Sequence, residues 1–233
     1  MQRILNIRLN LLLSWLALFA FTIAYAQEQM RIGLLPSVNV NRSPGTGWEL
    51  NLAYESRHFT FQQTGDQPGD IEYKYSLSDF SVLAGAKAGF DSKVAGGILL
   101  RLEPGATSYR TIQHFIISSR AGPVRFAHRI SSDQTFSSSE LPDYRFRYRI
   151  TAEVPLQGEK VDVREFYFKI SNEFLNSIHG NDYGLEIRLV PVIGYVPGVN
   201  HRFEAGPGSR LNNFIDDGGR FTTWLALKWY IKV

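Results

Sequence analysis

Ser177, His179 and Asp182 have the side chains of a hydrolytic triad and lie close together in the sequence. If they share one outer loop, they could act as nucleophile, general base and orienting acid. Such groups are brought together by the fold and not by closeness in sequence, so we keep this hypothesis as an alternative and assign no catalytic residue. The five histidines are scattered, and no pair has the helical spacing of a metal site. We therefore predict neither a metal nor a cofactor.

Arginines at every second position are the other chemical feature of the chain. Arg145, Arg147 and Arg149 alternate with aromatic residues. Side chains of a strand point to alternate faces, so this segment has one cationic face and one apolar face. Three guanidinium groups cannot lie in hydrocarbon, and we expect them to face water or a polar interior.

The same alternation recurs in most other segments and predicts a polar, charge-paired interior. The predicted lumen-lining residues are Glu49, Arg57, Arg101, Arg125, Arg129, Arg145, Arg147, Arg149, Glu153, Lys169, Glu186, Arg188, Arg202, Glu204 and Lys228. We prefer an interior of ion pairs and hydrogen bonds, because the lumen of a small barrel is filled by side chains. The alternative is an anion-preferring passage, which would need a water-filled bore.

Period-two alternation dominates the chain, and we find no convincing helix. The last segment, Phe221 to Val233, alternates almost without error. Counting from Trp48 gives ten strands, at 47–61, 71–90, 92–103, 109–120, 123–136, 143–156, 161–172, 183–196, 199–208 and 220–233. We therefore predict an all-β fold, a closed antiparallel transmembrane β-barrel of about ten strands. The segment 30–41 is also extended in character, and the count changes if it pairs. Twelve strands are the alternative, and eight are less favoured.

The predicted connections alternate in length. Tight turns are expected at 91–92, 121–123, 157–160 and 197–198, and longer stretches at 62–70, 104–108, 137–143, 172–182 and 209–219. Short turns at one end are typical of the periplasmic side of outer-membrane barrels, and an even strand count returns both termini to that side. The second strand changes parity near Ser78-Asp79, which indicates a bulge or a second strand.

The first residues have the character of a secretory leader. Arg3 and Arg8 precede an apolar run that is too short for a membrane helix, and Ala24-Tyr25-Ala26 suits cleavage. We predict a signal peptide at 1–26, a periplasmic or plug segment at 27–46, and an outer-membrane barrel at 47–233. Removing the leader changes the formal net charge from +3 to +1, so no nucleic-acid partner is expected. The chain has no cysteine, which excludes disulfides.

No motif specifies an activity. We expect a non-enzymatic envelope component, namely a narrow channel, a solute-binding barrel or a structural protein. Its expected partners are outer-membrane lipid, the barrel-assembly machinery during biogenesis, and a small solute or anion. The alternatives are an outer-membrane enzyme with outer-loop catalytic residues, and a soluble periplasmic barrel that binds a small apolar ligand if the two faces are exchanged.

Four segments of the mature chain contain motifs that can be compared with those of known families. They are 35–40, 48–57, 144–156 and 165–174. Together they resemble a family of outer-membrane barrels of Gram-negative bacteria, catalogued as domain of unknown function 2490. The resemblance spans nearly the whole chain after the leader. It implies an outer-membrane barrel, and it implies no established activity or catalytic residue.

Overall fold

The computed structural model describes residues 29–45, 47–65, 67–137, 141–212 and 219–233. These residues form eleven strands. They are β1 (Gln29–Arg42), β2 (Trp48–Thr64), β3 (Lys74–Lys87), β4 (Ser92–Glu103), β5 (Ala106–Ala121), β6 (Val124–Ser137), β7 (Asp143–Pro155), β8 (Phe166–His179), β9 (Asp182–Gly198), β10 (His201–Asn212) and β11 (Arg220–Lys232). Among these residues no helix is both long and apolar enough to cross a bilayer. The predicted leader, 1–26, lies outside the described residues.

The strands close into one barrel in chain order, and β1 joins β11. Consecutive strands pair antiparallel, whereas β1 pairs with β11 in parallel from Gln29/Arg220 to Asn41/Lys232. The first strand therefore begins at one rim and the last strand ends at the other. We call these the first rim, where β1 begins, and the second rim, where β11 ends.

The prediction of an all-β closed barrel is confirmed, but the strand count of ten, the alternative of twelve and the purely antiparallel pairing are wrong. The additional strand is β1, which lies in the segment 27–46 predicted as a periplasmic lead-in or plug. Its extended character is visible in the sequence. Whether it pairs depends on two neighbours, β2 and β11, that are far apart in the chain. The odd count also removes the expectation that both termini lie at one rim.

The predicted asymmetry of the connections is also wrong. The stretches 104–108 and 172–182 were expected to be long, but only 104–105 and 180–181 connect the strands there. The turn predicted at 157–160 lies within a longer connection at 156–165. Strand β8 continues to His179, and its continuation is hard to read from the sequence because Asn172 and Asn176 interrupt its apolar outer face.

The second predicted strand is one strand, β3, and it contains the irregularity that its parity change requires. The register against β2 shifts between Arg57 and His58, which pair with Leu77 and Tyr75. The additional residue is therefore Ser76, close to the predicted position. A bulge of this kind re-aims side chains on both faces.

Most charged side chains of the strands face the interior, and most large exposed apolar side chains face outward. Ile98, Phe146 and Ile193 are 64%, 54% and 56% exposed on the outer face. Arg147, which neighbours Phe146 in the sequence, has its side chain 12% exposed and ion-paired inside the barrel. The alternation along each strand thus turns apolar groups outward and charged groups inward.

Candidate functional site

A cavity of about 550 Å³ lies inside the barrel. Ten basic side chains line it, against four acidic ones. The predicted residues found in its lining are Arg57, Arg101, Arg129, Arg145, Arg147, Arg149, Glu186, Arg188 and Lys228. The barrel therefore gathers most of the predicted set around one internal space.

Asp133 on β6 is the carboxylate that holds two of the alternating arginines. Its Oδ1 accepts a hydrogen bond from Arg147 Nη2 at 2.6 Å, and its Oδ2 accepts one from Arg145 Nη2 at 3.2 Å. Asp133 and Arg145 are register partners on β6 and β7, so the strand pairing itself brings these charges together. Asp133 is 1% exposed, and such a buried carboxylate requires partners of this kind.

Glu173 on β8 is a second buried hub. Its carboxylate accepts hydrogen bonds from Arg149 Nε at 2.8 Å, from Arg188 Nη1 at 3.0 Å and from Arg129 Nη2 at 3.2 Å. These donors come from β7, β9 and β6, so one side chain connects four neighbouring strands on the inner face of the barrel wall.

Two further carboxylates, Asp79 on β3 and Glu186 on β9, form ion pairs on the cavity wall. Asp79 accepts both hydrogen bonds of Arg101, from Nε at 2.8 Å and from Nη2 at 2.7 Å. Glu186 pairs with Arg188, and it also accepts Arg210 Nε at 2.9 Å. A bidentate arginine pair of this geometry fixes the orientation of both side chains.

A separate polar cluster lies nearer the second rim. Glu204 accepts hydrogen bonds from Tyr167 OH at 2.8 Å and from Tyr230 OH at 3.4 Å, and it pairs with Lys169. Arg202 and Glu153 pair at 3.7 Å. Four of the predicted residues thus form ion pairs outside the main cavity.

Two predicted residues lie apart from these networks. Glu49 pairs with Lys93 at 2.5 Å, and both side chains are about half exposed. Arg125 is exposed, and it forms no ion pair among the described residues. Both lie close to the second rim, where β2 begins after 43–47 and β6 begins after 122–123.

Sequence reasoning missed several residues of the site, among them the carboxylates that organise it. The missed residues are Asp79, Arg110, His114, Asp133, Glu173 and Arg210. Asp133 has the same parity as Arg129, and strict alternation along β6 could have found it. Glu173 and Arg210 lie in segments that were predicted as loops, and Asp79 lies beside the bulge.

The triad hypothesis for Ser177, His179 and Asp182 places them in the wrong element. They lie at the end of β8 and the start of β9, and not in a loop. Ser177 Oγ donates to the carbonyl of Gly184 at 3.4 Å, and no hydrogen bond among the described residues joins it to His179. The described ranges contain no group of three or more His, Cys, Asp or Glu side chains placed to hold a metal ion.

The fold and the cavity define the class: a closed β-barrel with an arginine-rich, ion-paired interior. The model of a family described as "Protein of unknown function (DUF2490)" matches residues 32–220, and the chain belongs to this family. No curated protein and no solved structure matches the chain. The family expected from the sequence motifs is therefore confirmed, and its description names no activity.

Proposed function

We propose that this protein is an outer-membrane β-barrel whose lumen takes up small anionic solutes. The observation that carries the membrane part is the exposed apolar outer face. Exposure of such an apolar surface to water would be unfavourable, whereas in a bilayer the same surface contacts the acyl chains of the lipids. The predicted secretory leader supports the outer membrane as the compartment.

Aromatic side chains on both sides of this apolar face support the same proposal. Tyr109 and Tyr144 are exposed near the first rim, and Trp48, Phe203 and Trp229 are exposed near the second. Amphipathic rings favour the boundary between membrane and water, where one part of the ring is apolar and the other is hydrated. Two such belts match the two surfaces of a bilayer.

The excess of cations in the cavity supports the anionic solute. Ten basic side chains line it, and the acidic ones number six when the buried Asp133 and Glu173 are added to the four in the lining. Arg110 has Thr135 as a hydrogen-bond partner, and neither it nor Lys228 forms an ion pair with the described residues. The polar lining opposes the alternative of a soluble barrel with an apolar ligand inside.

Membrane insertion is tested by expressing the full chain and separating membrane from soluble material. We expect the protein in the outer-membrane fraction, with faster gel migration before heating than after heating. A folded protein in the soluble periplasmic fraction would contradict the proposal.

Anion uptake is tested with inorganic phosphate at constant ionic strength. A ligand that binds the folded state raises its thermal stability, so we expect phosphate to raise the Tm of the barrel in detergent micelles. The double variant Arg110→Gln, Lys228→Gln should lose this shift. Lys93→Gln, which removes a cation from the exposed pair with Glu49, should keep it. An unchanged shift in the double variant would contradict anion binding at these residues.

A further inference from the structure

A serine, a histidine and a tyrosine form a connected chain on the outer face of β2 and the start of β3. Ser56 Oγ lies 2.5 Å from His58 Nε2, and His58 Nδ1 lies 2.7 Å from Tyr73 OH. Since Arg57 lines the cavity, its neighbours Ser56 and His58 face outward. With the imidazole proton on Nδ1, Nδ1 donates to the tyrosine oxygen, and Nε2 is free to accept the serine proton.

The local backbone explains why these groups meet. Ser56 and His58 are two apart on one strand, so they project from the same face. The bulge at Ser76 shifts the register at His58 and aligns it with Tyr75, and the rings of Tyr73 and His58 stack with centroids 5.3 Å apart. Bulges are frequent beside active sites because they re-aim side chains in this way.

This cluster lies near the first rim, which in the proposed membrane barrel is the polar boundary of the bilayer. Ser78, the register partner of Ser56, pairs with Leu102, close to the 104–105 turn of the first rim. Tyr73 is 66% exposed there, and Tyr75 OH donates to the Leu102 carbonyl at 3.2 Å. The ester bonds of membrane lipids lie at this boundary, between head groups and acyl chains.

An apolar groove of about 380 Å³ begins beside the cluster and runs along the outer face of β1 to β4. Tyr54 lines it, and its hydroxyl is 3.3 Å from Ser78 Oγ. Leu52, Val82 and Ile98 line the groove farther from the first rim. The groove thus extends from the Ser56–His58 pair toward the middle of the apolar belt, where a lipid chain would lie.

We infer that Ser56 and His58 form an ester-hydrolysing site for membrane lipids, with Tyr73 as the positioning residue and the outer groove holding one acyl chain. This inference rests on the proposed membrane location for its natural substrate. It does not involve the lumen.

In the first half-reaction, Ser56 Oγ attacks the ester carbonyl carbon while His58 Nε2 takes the serine proton. The tetrahedral intermediate collapses, the alcohol leaves with the proton of His58, and the acyl group remains on Ser56. Water then attacks the acyl-enzyme, His58 takes one of its protons, and the fatty acid leaves as Ser56 recovers its hydrogen. The Ser78 hydroxyl, on the same face and opposite Ser56 in register, would donate to the oxyanion.

Access to the nucleophile requires side-chain movement. Ser56 is 3% exposed, so an ester reaches it only after neighbouring side chains rotate. Tyr73 and Tyr75 are surface rings that pack against His58, with centroids 5.3 and 5.7 Å away. Rotation of Tyr75 would open the site and leave both the hydrogen bonds of the sheet and the Tyr73–His58 hydrogen bond intact.

The test uses the full chain folded in non-ionic detergent, with 4-nitrophenyl laurate as substrate and a fluorophosphonate as covalent probe. We expect hydrolysis above the blank and probe attachment to the peptide that contains Ser56. Ser56→Ala should abolish both, and His58→Ala should lower kcat by about a hundredfold or more. Tyr73→Phe should lower kcat and leave KM unchanged, whereas loss of packing alone would raise KM.

His128→Ala is the matched control. His128 lies on the outer face of β6 and bonds Tyr148 OH at 2.8 Å, so it repeats the histidine–tyrosine half of the arrangement. No serine hydroxyl among the described residues bonds it. Its replacement should leave hydrolysis unchanged, and equal losses in His58→Ala and His128→Ala would overturn the site.

The groove is tested by chain length. Val82→Trp fills it, so we expect hydrolysis of the laurate ester to fall at least tenfold relative to that of the butyrate ester. Equal effects on both esters would overturn the groove as the acyl site. A heat-modifiable barrel with no hydrolysis and no labelling would refute the esterase and leave the membrane barrel standing. Hydrolysis by a protein found in the soluble fraction would refute the membrane proposal instead.

Discussion

Glu173 shows how one residue can hold a charged interior together. It is 1% exposed, and Arg129, Arg149 and Arg188 all donate to it. Taking an ion out of water is unfavourable by several kcal/mol, and the attraction of well-placed opposite charges offsets that loss. Removal of one arginine would leave Glu173 with two of these cationic partners, whereas removal of Glu173 takes a partner from all three arginines.

Glu173→Gln keeps the shape of the side chain and removes its charge. We expect the free energy of unfolding in detergent micelles to fall by about 3–5 kcal/mol, because Arg129 and Arg149 lose the carboxylate with which they pair and Arg188 keeps only Glu186. Urea titration of the fraction that migrates in folded form measures this. Glu49→Gln, which breaks the exposed pair with Lys93, should change stability by about 0–1 kcal/mol. Equal effects of the two substitutions would refute the role given to Glu173.

Strand β4 approaches the backbone of β3 closely at Gly97. A Cβ at Gly97 would overlap the Val82 carbonyl oxygen and lie 2.8 Å from Leu83 Cα, both on β3. A Cβ at Gly96, on the other face, would meet no atom nearer than 3.8 Å. The two adjacent glycines therefore have different roles: one is required by the β3–β4 approach and the other is not.

Gly97→Ala should separate β3 from β4 and lower the free energy of unfolding by about 1–3 kcal/mol, since backbone atoms cannot move aside as a flexible side chain can. Gly96→Ala should be close to neutral. Urea midpoints of the two variants under identical conditions provide the comparison. The assignment of close contact fails if Gly97→Ala is as stable as Gly96→Ala.

At the scale of the whole molecule, the main feature is that the sheet closes into a barrel. The parallel pairing of β1 with β11 leaves no free sheet edge, although it joins the first and last strands of the described chain. Closure also creates two chemically distinct environments, a charged interior and an apolar exterior. A charge placed on that exterior should be destabilising if the exterior faces a bilayer and nearly neutral if it faces water.

Ile98 lies midway along β4 and is 64% exposed, so Ile98→Arg places a charge in the middle of the outer face. In a membrane barrel this should destabilise the protein by about 2–4 kcal/mol in lipid vesicles. At an exposed site in water the change would be within about 0.5 kcal/mol. Val199→Arg, in the 199–200 turn at the second rim, should be near neutral in either case. A neutral Ile98→Arg variant in vesicles would remove the main support for membrane insertion.

Alternation makes much of this architecture predictable. The odd and even positions of β7 separate Arg145, Arg147 and Arg149 from their aromatic neighbours, and this separation can be read directly from the order of the residues. Strands with one polar and one apolar face can be located to within a few residues in the same way. The failures fall where polar residues interrupt the apolar face, as in the second half of β8, or where a strand has partners far away in sequence, as in β1.

The partners of the charged residues were decided by the tertiary structure. Asp133 meets Arg147 at 2.6 Å because the pairing of β6 with β7 aligns positions that the sequence separates by a connection at 138–142. Likewise, Tyr73 meets His58 on the outer face because a one-residue bulge in β3 shifts the register there. The amino-acid sequence by itself determined which side chains share a face, since that depends only on the geometry of an extended chain. Strand register and barrel closure decided which of them touch, because contacts between strands depend on every connection around the ring.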